Sequence, residues 1–239
     1  NIVGCSKFIM YVCTIKFKTI IMKKVCFKLL LFSLFFTLIS CENDKKVDIP
    51  TTSQEALEAL IEGNKRYVEG AMIHPNCDMK RVKETAPHQD PFAAVIGCSD
   101  SRVPVEIVFD QGVGDIFVIR TAGNNIDGKM IMGSIEYAVD HLGVKVLLVL
   151  GHGSCGGVTS AITGGAHHGE IGKLLHCIQE DIPEYIGKTE LLDEAIRHHA
   201  DVQIEEILNN ELIKEKVDDG ELIVKAAYYN INTGVVEIQ

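Results

Sequence analysis

The stretch Ala94-Val95-Ile96-Gly97-Cys98-Ser99-Asp100-Ser101-Arg102-Val103-Pro104 decides how the rest of the chain is read. An apolar run of strand length, Phe92 to Ile96, ends at Gly97 and presents a thiol, a carboxylate and a guanidinium within five residues. Val144 to Leu150 ends in the same way, with Gly151-His152-Gly153-Ser154-Cys155-Gly156-Gly157. Buried strands of parallel sheets read as continuous apolar runs, and α/β folds place their sites at the carboxyl ends of such strands. Two such ends side by side bring Cys98, His152 and Cys155 to one point. Two thiolates and an imidazole are the donor set of a zinc site that keeps a fourth position open.

Taken singly, Cys98 reads as a small buried apolar residue and His152 as a hydrogen-bonded loop histidine. Cys-x-Asp-x-Arg after one strand end, with His-x-x-Cys and a glycine turn after another, favours the metal. Asp100 stands two residues beyond a ligand, so its carboxylate is close to the site. Left free, it would compete for the fourth position. Arg102 can hold it aside in a bidentate pair. The alternative is a salt bridge that only fixes the turn.

Cys98-Ser-Asp-Ser-Arg102 together with His152-Gly-Ser-Cys155-Gly-Gly resembles the β-class carbonic anhydrases, from about Ser53 to the C-terminus. The resemblance implies a zinc enzyme, with one Zn2+ per chain, that converts carbon dioxide reversibly to bicarbonate and a proton. Zinc lowers the pKa of a bound water to about 7, so hydroxide is available to attack. In the family the Asp100–Arg102 dyad keeps the site open and Asp100 accepts a hydrogen bond from that water. In a closed state Asp100 is itself the fourth ligand. Gln89 matches a glutamine that donates to bicarbonate. Phe117 and Tyr137 match aromatic positions contributed across the interface of a homodimer or dimer of dimers. On pattern alone, Phe117 and Tyr137 are core residues and Gln89 a polar loop residue. Val95 stands where a regulatory subgroup carries Trp, and the chain has none, which favours the constitutively open subgroup. Ser99, Gly153 and Ser154 are expected as turn formers and donors to ligand sulfur. A non-catalytic zinc- or bicarbonate-binding protein, or a same-fold hydrolase of carbon disulfide, remain the alternatives.

With 239 residues, 46% of them hydrophobic, the chain is long enough for one α/β domain with a sizeable core. Strands alternating with helices predict a mostly parallel sheet covered on both faces, with an N-terminal helical arm that starts at the capping box Thr52-Ser-Gln-Glu55. Whether that arm packs on its own domain or on a neighbouring subunit is open from sequence. One helix is expected over Met130 to Leu142. Another runs from Thr189 to Asn209 and is extended by Ile213 to Val217. A hairpin-like edge is expected from Tyr228 to Ile238.

Residues 1–21 fit no domain and are expected to be a non-native upstream extension. Met22 opens a basic start with Lys23, Lys24 and Lys28, then the apolar run Leu29 to Ile39 and Ser40-Cys41. That is the pattern of a secretory signal, and an apolar run of this length is short for a membrane span. Leu38-Ile39-Ser40-Cys41 resembles a bacterial lipobox, so residues 22–40 are expected to be a lipoprotein signal. Cys41 is then the lipid anchor, 41–52 a tether and 53–239 the domain. The expected location is periplasmic or cell-surface. The net charge is −10, and six lysines but no acidic residue lie in residues 1–40. The remainder is thus more acidic still, which excludes nucleic acid as a partner. Of the eight cysteines, Cys77 and Cys177 are left without a role. They either pair or are buried apolar residues, the second being favoured. His167 and His168, in a glycine-rich loop, are read as solvated, with a proton relay as the alternative.

Overall fold

A computed structural model describes residues 49–165 and 168–239. The signal, anchor and most of the tether expected before residue 49 lie outside the described residues, as does His167. Thr52 caps helix α1 (Ser53–Glu69), its hydroxyl accepting from the Glu55 amide while Glu55 reaches back to the Thr52 amide. Gly70, at φ +66°, closes it. α2 (Met79–Thr85) and an exposed loop lead to β1 (Ala93–Cys98). After α3 (Val105–Val108) come β2 (Ile116–Thr121), a 3-10 turn (Ala122–Asn124) and α4 (Lys129–Glu136). β3 (Val146–His152), α5 (Gly156–Thr163), α6 (Gly169–Asp181), α7 (Leu192–Leu208), α8 (Glu211–Asp218), β4 (Ile223–Tyr229) and β5 (Val236–Ile238) complete the chain.

The sheet order is β2-β1-β3-β4-β5, parallel except for the last pair. β1 and β3 are neighbours at its centre and are buried along their whole length. Successive side chains in a strand point to opposite faces. Ala94, Ile96, Leu147 and Val149 therefore pack under Ile135 and Val139 and against Ala200 and Ile207 of α7. Ala93, Val95, Leu148 and Leu150 pack on the other face against Ala56 and Leu60 of α1 and Val105 and Val108 of α3. Helix α1 thus packs on its own domain.

Three expectations are corrected. The helix expected over Met130 to Leu142 is α-helical only to Glu136, and Tyr137–His141 continue as a π-turn. Ile213 to Val217 do not extend α7. Asn210 breaks away with ψ 118° and caps α8, accepting from the amides of Leu212 and Ile213. The hairpin-like C-terminal edge does form, as the antiparallel pair of β4, which runs through Tyr229, with Val236–Ile238. Cys77 is exposed, Cys177 half-buried, and both are free thiols, so neither is a buried apolar residue and the two do not pair.

Candidate metal centre

Parallel pairing sets the ends of β1 and β3 on the same edge of the sheet. Cys98 is the last residue of β1 and His152 the last of β3, on the strand itself rather than in the turn beyond it. Cys155 follows at the N-cap of α5. All three are buried, and their ligand atoms lie within 4.8 Å of one another. The two sulfurs are 4.0 Å apart, against about 3.8 Å for tetrahedral zinc with bonds of about 2.3 Å.

His152 supplies the decisive test of fit. Its Nδ1 lies 3.0 Å from the Gly153 carbonyl, which can only accept, so the proton is on Nδ1. Nε2 then carries a lone pair, and it is fully buried without a hydrogen-bond partner. Buried polar atoms are normally satisfied. A lone pair aimed at two sulfurs is satisfied by a metal, so these residues fit zinc.

The sulfurs are electrostatically unequal. A hydrogen bond from the Cys155 thiol, and after it those from the amides of Gly123 and Asp100, hold Cys98 far below the usual thiol range, against the effect of burial. The two amides lie 3.3 and 3.4 Å from Sγ. Cys155 is pushed up by its hydrogen bond to Cys98, by burial and by the charge on Cys98. A divalent cation held between the two sulfurs would favour the deprotonated form of both.

The Asp100–Arg102 pair forms as the spacing suggests. Arg102 donates from Nε to Oδ1 at 3.0 Å and from Nη2 to Oδ2 at 2.7 Å, and its backbone amide donates to Oδ1 at 2.9 Å. Arg102 holds the Asp100 carboxyl well below the usual carboxylate range. Nη2 also donates to the Ser154 carbonyl at 3.2 Å, tying one ligand turn to the other. Ser154 takes φ +54°, a conformation uncommon for a residue with a side chain.

Three features escaped the sequence reading. Arg120, at the end of β2, donates from Nε to the Cys98 carbonyl at 2.9 Å and from Nη2 to the Asp100 carbonyl at 2.6 Å. It clamps the turn that carries both Cys98 and the Asp100 carboxylate. The donors to the Cys98 sulfur are Asp100 and Gly123, not Ser99, Gly153 or Ser154; the Ser99 amide donates to the Thr121 carbonyl instead. Gly123 can approach because Gly157 has no side chain: a Cβ there would stand 3.3 Å from both Cα and N of Gly123. Behind the site, Tyr228 donates to Asp193 at 2.8 Å and lies under the Arg197 guanidinium, 3.8 Å from its ring centre.

Of the remaining sequence candidates, Phe117 and Tyr137 lie away from the ligands within one chain. Gln89 is exposed on the loop before β1. Phe117 is half-buried and level with Ala94, four residues and about 13 Å along the strand from the level of Cys98. Its ring centre is 6.1 Å from that of Tyr137, which is 43% exposed and lies 4.7 Å from the ring of His141. The structure brings the two aromatics to each other on an outer surface.

A strand order of 2-1-3-4-5, with two Cys and one His at the carboxyl ends of its central strands, defines a metalloprotein of the α/β class. A family model described as carbonic anhydrase matches residues 93–236. The chain is 37% identical over 194 residues to carbonic anhydrase 2 of Mycobacterium tuberculosis, covering 77% of this chain and 91% of that one. Among solved structures it is similar to one of two tetrameric β-carbonic anhydrases of the ascomycete Sordaria macrospora (28% identity, TM-score 0.60, 66% of this chain and 84% of that one). It is also similar to the β-carbonic anhydrase of Coccomyxa in complex with acetazolamide (25% identity, TM-score 0.58, 76% and 85%). The chain belongs to the β-class carbonic anhydrase family.

Proposed function

We propose that this protein catalyses the reversible hydration of carbon dioxide to bicarbonate and a proton, with zinc held by Cys98, His152 and Cys155. The observation that carries the reading is the orphaned Nε2 of His152 beside two sulfurs, with the nearby carboxylate tied back by Arg102. When bound, zinc supplies a Lewis acid that lets water ionise near neutral pH. Asp100 is placed to accept the proton side of the nucleophile and so to orient it. Arg102 holds Asp100 off the metal. Val158, Ile162, Ile178 and Ile196 pack around Cys98 and Cys155 and keep water from that side of the ligand atoms. A non-catalytic binder is not favoured, since it needs no such arrangement to keep a position open.

Gln89, Phe117 and Tyr137 serve the substrate pocket in this reading. Within one chain Phe117 and Tyr137 lie on an outer surface, and a neighbouring copy is what would bring them to a site. This supports a homodimer or dimer of dimers, as does the tetrameric Sordaria relative. Export as a lipoprotein anchored at Cys41 rests on the basic, apolar and lipobox pattern of residues 22–41. Stopped-flow carbon dioxide hydration on protein of measured zinc content tests the activity. Mass spectrometry of the mature N-terminus tests the anchor.

A further inference from the structure

His199 is fully buried in α7, is not one of the three ligand residues, and yet makes polar contacts through both ring nitrogens. Nε2 lies 3.0 Å from the Gly123 carbonyl. A carbonyl only accepts, so Nε2 carries the proton and donates it. Nδ1 faces Asp181 Oδ2 at 3.2 Å and Gln203 Nε2 at 3.5 Å. Gln203 donates to Asp181 at 2.8 Å while its Oε1 accepts from the Ile126 amide at 2.8 Å, which fixes which end of the amide faces which partner. One turn of α7 therefore holds the loop after β2 at two points, Gly123 and Ile126.

The other side of the Gly123 residue carries the consequence. Its amide donates to Cys98 Sγ at 3.3 Å, and its φ of +70° is a conformation that glycine adopts freely. Nothing in that backbone conformation alone confines the amide to the sulfur. Its restraints are the carbonyl bond to His199 and the contact with Gly157, in a loop whose start is held by the Ser99 amide on the Thr121 carbonyl and closed by the Thr121 hydroxyl on the Asn125 carbonyl.

We propose that His199 is a positioning residue for the metal centre: by fixing the Gly123 carbonyl it aims the Gly123 amide at the Cys98 sulfur and so tunes how strongly that sulfur donates to the metal. An N–H donor withdraws electron density from a thiolate. Losing it makes the sulfur a stronger donor and the metal a weaker acid. Groups that orient metal ligands are worth about 10-fold to 100-fold in metal affinity or activity. The proposal rests on the zinc hydrase reading, and its test separates the two.

The test compares the purified wild type with His199→Leu and His199→Gln, the latter keeping an N–H donor near the Nε2 position. Three quantities are measured: zinc affinity by competition with a chelator, the thiolate-to-metal charge-transfer band of the cobalt(II)-substituted protein, and the pH midpoint of hydration. For His199→Leu we expect zinc affinity to fall about 10-fold or more, because the less firmly held Cys98 outweighs its stronger donation, the band to move to longer wavelength and the midpoint to rise. His199→Gln should return all three toward wild type. A folded His199→Leu with wild-type affinity and spectrum overturns the proposal, and so does equal impairment in both variants, which would point to ring packing. Should His199→Leu not fold, Asp181→Asn decides. Asp181 is partly exposed, and its change should shift the band in the same direction by less, whereas an unmoved band overturns the proposal. A wild type that takes up no zinc overturns the metal reading, and this inference with it. A wild type that binds zinc beside an indifferent His199→Leu overturns this inference alone.

Discussion

Asp100 Oδ2 lies 3.9 Å from His152 Nε2, and the carboxylate that comes this close is kept from the ligand cluster by two side-chain hydrogen bonds from Arg102. A carboxylate beside a divalent cation coordinates it unless something stronger holds it. Arg102→Ala is therefore expected to retain zinc and lose hydration by about 100-fold or more, because Asp100 then takes the open position. Asp100→Ala should fall less far, since the position stays open but the nucleophile loses its orienting acceptor. Wild-type turnover in a zinc-loaded Arg102→Ala protein would refute this account of the dyad.

The ligand assignment makes a simpler claim. Cys98→Ser, His152→Ala and Cys155→Ser should each lose most of the bound zinc, measured by elemental analysis after dialysis against a chelator. Full occupancy in any one of them would remove that residue from the ligand set.

Arg120 should matter although it touches neither sulfur nor carboxylate. Its two bonds fix the carbonyls of Cys98 and Asp100, so Arg120→Met frees the turn from both directions. Activity is expected to drop about 10-fold to 100-fold with smaller loss of zinc. Arg120→Lys, which can reach only one carbonyl at a time, should fall between. An Arg120→Met protein with unchanged kcat would mean that the turn holds its shape unaided.

Tyr228 gives a pH prediction. Burial, the hydrogen bond to Asp193 and the charge on Asp193 push its phenol up to about 12 from the ordinary 10. Folding thus favours the neutral phenol. That contribution is complete below pH 10 and is lost as pH rises from 10 toward 12. Wild-type stability in urea should fall across that window more steeply than that of Tyr228→Phe. The variant should be less stable at neutral pH by about 1 kcal/mol for the lost hydrogen bond. Equal alkaline slopes for the two proteins would assign the ionisation elsewhere.

The central strands and the three ligands were legible because each is written locally. Phe92 to Ile96 and Val144 to Leu150 are apolar without interruption, as strands buried on both faces must be. Cys98, Asp100 and Arg102 are near enough in sequence to meet whatever else folds. Arg120 was not legible, because its role comes from the parallel register that sets it level with Gly97. Nor was His199, whose position in α7 reads only as part of an amphipathic stripe until Gly123 is seen against it. The α7–α8 break was legible and was misread: Asn210 followed by Glu211 and Leu212 carries a helix-start signal, with a capping residue ahead of an acidic first turn. The π-turn at Tyr137–His141 has no such signal, since one helical period shades into the other without a change of residue type.

Gly157 contributes no functional group, yet it sets how near the turn that carries Gly123 can come to the Cys98 sulfur. A Cβ there would press on the Gly123 backbone at 3.3 Å and push it and its amide back by a few tenths of an ångström. The acidity of a metal held here would thus depend partly on a missing atom, at a position that a search for chemically active residues would pass over. An engineer wishing to make this centre more or less acidic would begin with the space between two glycines and leave the ligands alone.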